Sequence, residues 1–367
     1  MVPSLPRLEK AVSQLSIYMD FRARPGVPPQ AADFEDGITL VRAAERLGFF
    51  RVWTTEQHGV DDGYLPAQLP MLAALARETS RIRLGTAVIL LPLTHPRRVV
   101  EEACVVDVLS GGRLTLGLGA GNYPNEFRVF GAGLAERGKV MDDGVAFIKA
   151  GLSGGLLPDG AWVNVPPVQR PIPLVLGGMR RAPVERAARH ADGHFAYAYL
   201  APERELPRLY REVIRPAMDR HGRGREDFRL IFATVLWASE DAGREWQETV
   251  GPAFAYQQRK YQEWEGDVPT AGGYAFTGDL DDLRRQMLVG RPGEIAERLL
   301  ALREVYPFDE VVVWPRLPGV PLGAAVAHLE ALAAEVAPLS PNPDDKSEFA
   351  VLTVITPHGY RSLTVDS

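Results

Sequence analysis

A chain of 367 residues that is 46% hydrophobic and 24% charged can bury a sizeable core, either as two average domains or as one large α/β barrel. Its 41 basic and 47 acidic residues leave a formal charge of −6 with no clustered Lys or Arg run, which argues against nucleic acid or an anionic membrane as partner. The single cysteine, Cys104, excludes an intrachain disulfide and a cysteine-based metal site. No apolar run nears the roughly 18 residues of a membrane span, and the start carries no leader-like apolar core, so a cytoplasmic protein is expected.

In chain order, Leu15 to Phe21 is a first strand ending at Asp20, and Asp33 is placed to cap a helix running to about Leu47. Phe50 to Thr55 is a second strand that runs into Glu56, Gln57 and His58. A helix from Pro66 to Thr79, a strand from Ile82 to Leu91 and a loop with Thr94, His95 and Pro96 follow, then a helix from Arg97 to Leu109. The fourth strand opens the stretch RLTLGLGAGNYPNEFRVFG, Arg113 to Gly131. Leu114, Leu116 and Leu118 alternate there at the two-residue period of a strand. Gly117, Gly119 and Gly121 strip the strand tip of Cβ atoms, so that a flat ligand could lie against the backbone. Asn122, Tyr123, Asn125 and Glu126 then form a polar loop with Phe127 and Phe130. A glycine-rich turn without a ligand is the alternative.

Beyond it come a helix from Leu134 to Lys149, a Gly/Pro-rich crossing from Gly151 to Pro173, and a fifth strand, Pro173 to Gly178. Further strands are expected at Gly193 to Tyr199, Phe228 to Ala238 and Glu310 to Trp314, each followed by a helical pattern. Nearly continuous apolar strands are buried on both faces, which is the parallel-sheet pattern. Eight such strand and helix pairs point to a (β/α)8 barrel rather than an open doubly wound sheet. The barrel domain is expected over residues 1–338, with an insertion near its C-terminal face at Tyr256 to Asp279. The tail from Leu339 to Ser367 is either a flexible extension or an added arm.

Barrel enzymes place catalytic groups at the C-terminal ends of their strands. None of the five lysines lies there, which removes Schiff-base and lysine-anchored pyridoxal phosphate chemistry. Glu56, His58, His95 and Asp20 are of metal-binding type, but the later strands add no clear ligand, so no metal is expected. Gly177, Gly178, Met179, Arg180 and Arg181 read as a phosphate seat: two glycines, the free N–H groups of a helix start, and two positive charges. Solvated arginines on a tight turn are the alternative. Neither glycine turn matches the dinucleotide fingerprint. His58 and His95 lie at adjacent strand tips, as acid–base candidates or as structural hydrogen bonders.

VWTTEQH, then IRLGTAVILLPLTHPRRVVEEACVVDVLSGGRLTLGLGAGNYPNEFRVFGAG, then PLVLGGMRRAPVERAARHADG, together resemble the bacterial luciferase-like flavin monooxygenases. The likeness to the luciferase α subunit is closest from Leu84 to Gly131. The resemblance implies reduced FMN with its phosphate near Gly177 to Arg181 and its ring over strands three and four, beside Ala87, Val88, Gly119, Ala120, Gly121 and Asn122. It implies a non-proline cis peptide at Ala87-Val88, and a mobile loop at Tyr256 to Asp279. It further implies O2 as cosubstrate reacting through a flavin C4a-hydroperoxide, a separate NAD(P)H-dependent flavin reductase, a small-molecule substrate and a homodimer. His58 or His95 would manage protons, and Gln57 would orient flavin or substrate. Two departures stand out: Gln57 replaces the first of luciferase's two adjacent histidines, and Ala120 replaces a basic residue of the fourth-strand turn, leaving Arg180 or Arg181 to supply charge. Oxygenation of a substrate other than a long-chain aldehyde is therefore expected. The alternatives are hydride transfer with the deazaflavin coenzyme and a non-catalytic flavin-binding protein.

Overall fold

A computed structural model describes residues 14–22, 24–265 and 278–335, together with the backbone of two further strands at 352–356 and 359–363. Eight strands form the barrel: β1 (Gln14–Met19), β2 (Arg51–Thr54), β3 (Arg83–Thr86), β4 (Leu114–Gly119), β5 (Leu174–Gly177), β6 (Gly193–Tyr197), β7 (Arg229–Thr234) and β8 (Glu310–Val313). All pair in parallel in the order β3-β2-β1-β8-β7-β6-β5-β4, and Leu84 and Gly85 of β3 pair with Leu114 and Thr115 of β4 to close the ring. The helices of the repeating unit are α1 (Ala31–Arg46), α2 (Gln68–Glu78), α3 (Pro96–Ser110), α4 (Arg137–Gly151), α5 (Arg181–His190), α6 (Pro202–Arg220, with a π turn at Tyr210–Ile214), α7 (Pro292–Val305) and α8 (Leu322–Glu335). The (β/α)8 barrel expected from the alternation is the fold observed.

Strand alternation divides the core into two layers. Leu114, Leu116 and Leu118 of β4 join Ile17, Val52, Leu84, Leu174, Leu176 and Val313 in the outer layer against the helices. The inward positions carry Tyr18, Trp53, Phe195, Ile231, Val312 and Trp314. Aromatic rings fill the barrel: Tyr18 and Trp314 lie 4.3 Å apart between centroids, Trp53 and Phe195 5.1 Å. Such bulk fits only because neighbouring inward positions are bare. A Cβ on Gly85 would lie 2.4 Å from the Trp53 ring.

Several expected boundaries shift for physical reasons. Asp33 does not cap α1; Gln30 does, and the Asp33 carboxylate accepts from the Gln30 N–H at 2.9 Å three residues in. The strand expected from Ile82 to Leu91 breaks at Ala87-Val88, and Ile89 and Leu90 pair again with Leu118 and Gly119. The strand expected to reach Ala238 leaves the barrel after Thr234. Leu236–Ala238 instead pairs in parallel with Leu288–Gly290 in a separate two-stranded sheet. Pro124–Phe130, expected as loop, is a short helix with Pro124 in its first turn and with Glu126 and Phe127 buried.

The expected insertion begins as helix, since Gly251–Glu265 is α-helical; residues 266–277 lie outside the described residues. So does the tail from Leu339, apart from the backbone of Leu352–Thr356 and Gly359–Leu363, which pair antiparallel. Among the described residues no helix is long and apolar enough to cross a membrane.

Candidate active site

The C-terminal mouth of the barrel is organised by the break in β3. The Ala87-Val88 peptide is cis, as the resemblance implies, and its neighbours hold it from three sides. The Tyr18 hydroxyl donates to the Ala87 carbonyl at 2.8 Å. The Ala87 N–H donates to the Thr54 carbonyl at 2.7 Å and lies 3.1 Å from the Gln68 side-chain oxygen. Thr86 exchanges two hydrogen bonds with Gly117, accepting its N–H at 2.8 Å and donating to its carbonyl at 2.9 Å.

This arrangement corrects the purpose expected of the β4 glycines. A Cβ on Gly117 would sit 1.9 Å from the Thr86 carbonyl oxygen, and one on Gly119 would sit 2.3 Å from a Val88 methyl. The missing side chains leave room for the β3 bulge rather than an open ledge for a ligand. Gly121 does need its glycine for conformation, with φ at +67° where the chain turns toward Asn122.

On one side of the bulge lies the turn after β2. Glu56 accepts the Leu90 N–H at 2.7 Å and the Gln68 amide at 3.0 Å, so its carboxylate ties the β2 turn to both α2 and the far end of the bulge. His58 Nε2 lies 3.6 Å from Glu56, and the Phe130 ring meets the imidazole edge-on at 4.7 Å. Burial lowers the proton affinity of His58, but the neighbouring Glu56 carboxylate and the charge of Glu126 reverse this, leaving the imidazole above its ordinary value. Gln57 and His58 line a cavity of about 120 Å³ with Tyr123, Glu126, Glu263 and Trp264.

His95 lies elsewhere. It is exposed and caps α3, its Nδ1 accepting the Arg97 N–H at 3.2 Å. Ala120 is half-buried and Asn122 exposed at the end of β4.

On the other side of the bulge is the β5–α5 turn. Gly178, at φ +148°, donates its N–H to the Phe195 carbonyl, and its own carbonyl lies 2.6 Å from His194 Nε2. A Cβ on Gly178 would collide with the Pro183 ring at 2.6 Å, and one on Gly177 would meet the Tyr197 hydroxyl at 2.8 Å. The glycines therefore let the start of α5 approach the strand tip. Arg180, the N-cap residue, makes no capping hydrogen bond. Arg180 and Arg181 are exposed, and among the described residues neither forms an ion pair. Met179 is turned inward, its sulfur accepting the Tyr197 N–H at 3.2 Å. A helix start with free N–H groups and two uncompensated guanidinium groups could hold an anion.

Over the mouth lies the Gly251–Glu265 helix. Tyr261 stacks on Tyr199 at 6.3 Å, Trp264 meets Tyr64 and Tyr123 edge-on, and Lys260 pairs with Asp61 at 3.0 Å. Beneath it Arg22 is bound to Asp20 at 2.7 Å and packs against the Tyr64 and Tyr261 rings. Asp20 is thereby committed to a buried ion pair, also accepting from Trp314 Nε1 at 3.2 Å. Among the described residues no group of three or more His, Cys, Asp or Glu is arranged to hold a metal ion.

Gln68 and Thr86, which hold the bulge, were not singled out in the sequence. The available signal was a glutamine in the buried stripe of α2 and a buried threonine at the end of β3.

Barrel, bulge and mouth together define a class, and comparison with known proteins agrees. The sequence profile described as luciferase-like monooxygenase matches residues 14–307. The chain belongs to the luciferase-like monooxygenase family. It is 29% identical over 307 residues to an uncharacterized protein, y4vJ, of Sinorhizobium fredii, covering 78% of this chain and 86% of that one. The alkanal monooxygenase alpha chain of Photorhabdus luminescens is 35% identical over 133 residues, 35% of this chain and 37% of that protein. The oxygenase component of a flavin-dependent trigonelline monooxygenase from Acinetobacter baylyi is 29% identical over 170 residues, 44% of this chain and 45% of its own.

Among solved structures, the monooxygenase RslO1 of Streptomyces bottropensis superposes with a TM-score of 0.77 at 23% identity, covering 89% of this chain and 99% of that one. The oxygenating constituent of 3,6-diketocamphane monooxygenase from Pseudomonas putida, in complex with FMN, gives 0.69 at 17%, with 90% and 100% covered. An F420-dependent secondary alcohol dehydrogenase also gives 0.69, at 14% identity, with 89% and 99% covered. At these identities the structural likeness concerns the fold.

Proposed function

We propose that this chain is the oxygenase component of a two-component flavin monooxygenase. It would take reduced FMN from a separate NAD(P)H-dependent reductase and transfer one atom of O2 to a small organic substrate. The observation that carries this reading is the anion seat at Gly177 to Arg181, set across the mouth from His58 and beside the cis bulge. A phosphate monoester supplies the negative charge that Arg180, Arg181 and the uncapped α5 lack. When bound, the reduced flavin would supply the electrons that activate O2.

The chain's own residues divide the remaining work. Ala87 and Val88 form the wall against which the ring would rest, with Tyr18 fixing that wall from beneath. His58, half-buried and charged more readily than a free histidine, would hold or release a proton at Nε2. Gln57 would orient flavin or substrate through its amide, and Tyr123 and Asn122 would border the substrate. His95, exposed and occupied as a cap, leaves this role to His58. The cavity of about 120 Å³ is below the roughly 300–1,000 Å³ of ligand pockets, so binding of the ring requires Trp264 and Glu263 to withdraw from the mouth. A dry, covered site is what oxygen transfer in competition with water demands.

Turnover with reduced FMN and isotopically labelled O2 tests the reading: one labelled atom should appear in product. The fold is shared with the F420-dependent secondary alcohol dehydrogenase, and that likeness supports hydride transfer as the second reading. In that case the reduced deazaflavin, and not FMN, would bind tightly and no labelled oxygen would be incorporated. We infer a homodimer as well, since Val105, Val108 and Leu109 on α3 and Val168 beside them are each at least two-fifths exposed. A monomeric mass by light scattering would count against it.

A further inference from the structure

Glu126 is only 1% exposed, on the short helix that borders the cavity. One carboxyl oxygen accepts the backbone N–H of His58 at 2.9 Å; the other is shut off from solvent with no hydrogen-bond partner. A buried carboxylate oxygen without a donor is costly, whereas a neutral carboxylic acid in the same place is tolerated. Burial pushes the Glu126 carboxyl up to about 7, against the opposing pull of its hydrogen bond to His58 and the His58 charge, with Glu56 adding to the rise. Glu56 has both oxygens engaged by Leu90 and Gln68. Across the cavity Glu263 is paired with Lys260 at 3.1 Å, and Tyr123 is the remaining titratable group on the lining. The groups free to exchange a proton here are His58 and Glu126.

We propose that Glu126 is a positioning residue that sets the charge of His58. It fixes the β2 turn through the His58 backbone, and it strengthens or weakens the hold of the imidazole on its proton according to whether its own carboxyl is ionised or neutral. With Glu126 neutral, His58 faces one carboxylate, Glu56; with Glu126 ionised, it faces two. The two titrations therefore belong to a coupled pair rather than to separate sites. The use made of this proton rests on the monooxygenase reading; the coupling itself does not.

The test uses the full chain without flavin. Histidine ring carbons are labelled and followed by NMR, and the His58 signal is identified as the one lost in His58→Gln. Replacing Glu126 by Gln keeps the acceptor for the His58 N–H but removes the charge. The His58 midpoint should fall by about one unit, a roughly tenfold weaker hold on the proton. A purely structural role would lower the melting temperature and leave the midpoint in place, which would overturn the proposal. Infrared spectra of the parent protein need no variant: a buried protonated carboxyl band should be present at pH 6 and lost by pH 8. Its absence at pH 6 would overturn the proposal even if Glu126→Gln failed to fold. Because no flavin is present, failure here is distinguishable from failure of FMN to bind.

Discussion

The two ends of the barrel treat their charged groups in opposite ways. At the N-terminal end Arg113 donates five hydrogen bonds, to Ser110, Thr79, Ile82 and Ala76 in the turns beneath α2 and α3. Glu310, fully buried, accepts from Ser16 and Trp53 at 2.6 Å each and faces Arg51 at 3.5 Å. At the C-terminal end Arg180 and Arg181 are exposed and have no ion pair among the described residues. The difference teaches where free energy has been committed. One end closes the fold with buried hydrogen bonds, and the other keeps two guanidinium groups exposed and unpaired among the described residues.

That contrast can be broken at either end, and the effects should scale accordingly. The largest belongs to Glu310→Ala, which strands Arg51 and the Trp53 N–H in the interior. About 3–5 kcal/mol of stability should be lost, read as a lower denaturant midpoint. Arg113→Ala should cost about 2 kcal/mol, since several carbonyls lose their donor at a partly solvated site. Neither change should alter affinity for a phosphate-bearing flavin in the protein that remains folded.

At the other end the pattern should invert. Replacing Arg180 and Arg181 together by Ala should leave stability within about 0.5 kcal/mol while weakening binding of inorganic phosphate and FMN by at least about tenfold, measured by calorimetry. The smallest effect concerns pH. The Glu126 carboxyl rises from its ordinary 4.5 to about 7 on folding, so the folded state holds that proton more tightly. Its contribution to stability is present below pH 4.5 and lost as pH rises toward and through 7. Glu126→Gln removes this loss, so the variant should gain on the parent by on the order of 1 kcal/mol between pH 5 and pH 8. Parallel melting curves with no pH-dependent gap would contradict it.

The barrel was legible because its strands are continuous apolar runs such as LVLG at Leu174–Gly177, and because helices with one apolar stripe separate them. The proposed phosphate seat draws on one short stretch of sequence, since Gly177, Gly178 and the paired arginines are contiguous. The β4 glycines were conspicuous but misjudged: sequence shows that side chains are missing, not that Thr86 and Val88 occupy the space. Glu126 gave no sign of burial, because a seven-residue helix is too short to show an apolar stripe. Gln68 and Glu56 clamp the bulge across gaps of 19 and 34 residues, a tertiary relation that local pattern does not record. His95 illustrates the converse, a histidine at a strand tip whose ring is used by the next helix start.

The measurement that bears most directly on the central claim is an anaerobic titration of the full chain with reduced FMN and, separately, with reduced riboflavin, which lacks the phosphate. The account predicts that FMN binds at least tenfold more tightly and that this preference vanishes when Arg180 and Arg181 are both Ala. Equal affinity for the two flavins, or a preference that survives the double substitution, would contradict a phosphate seat at the start of α5.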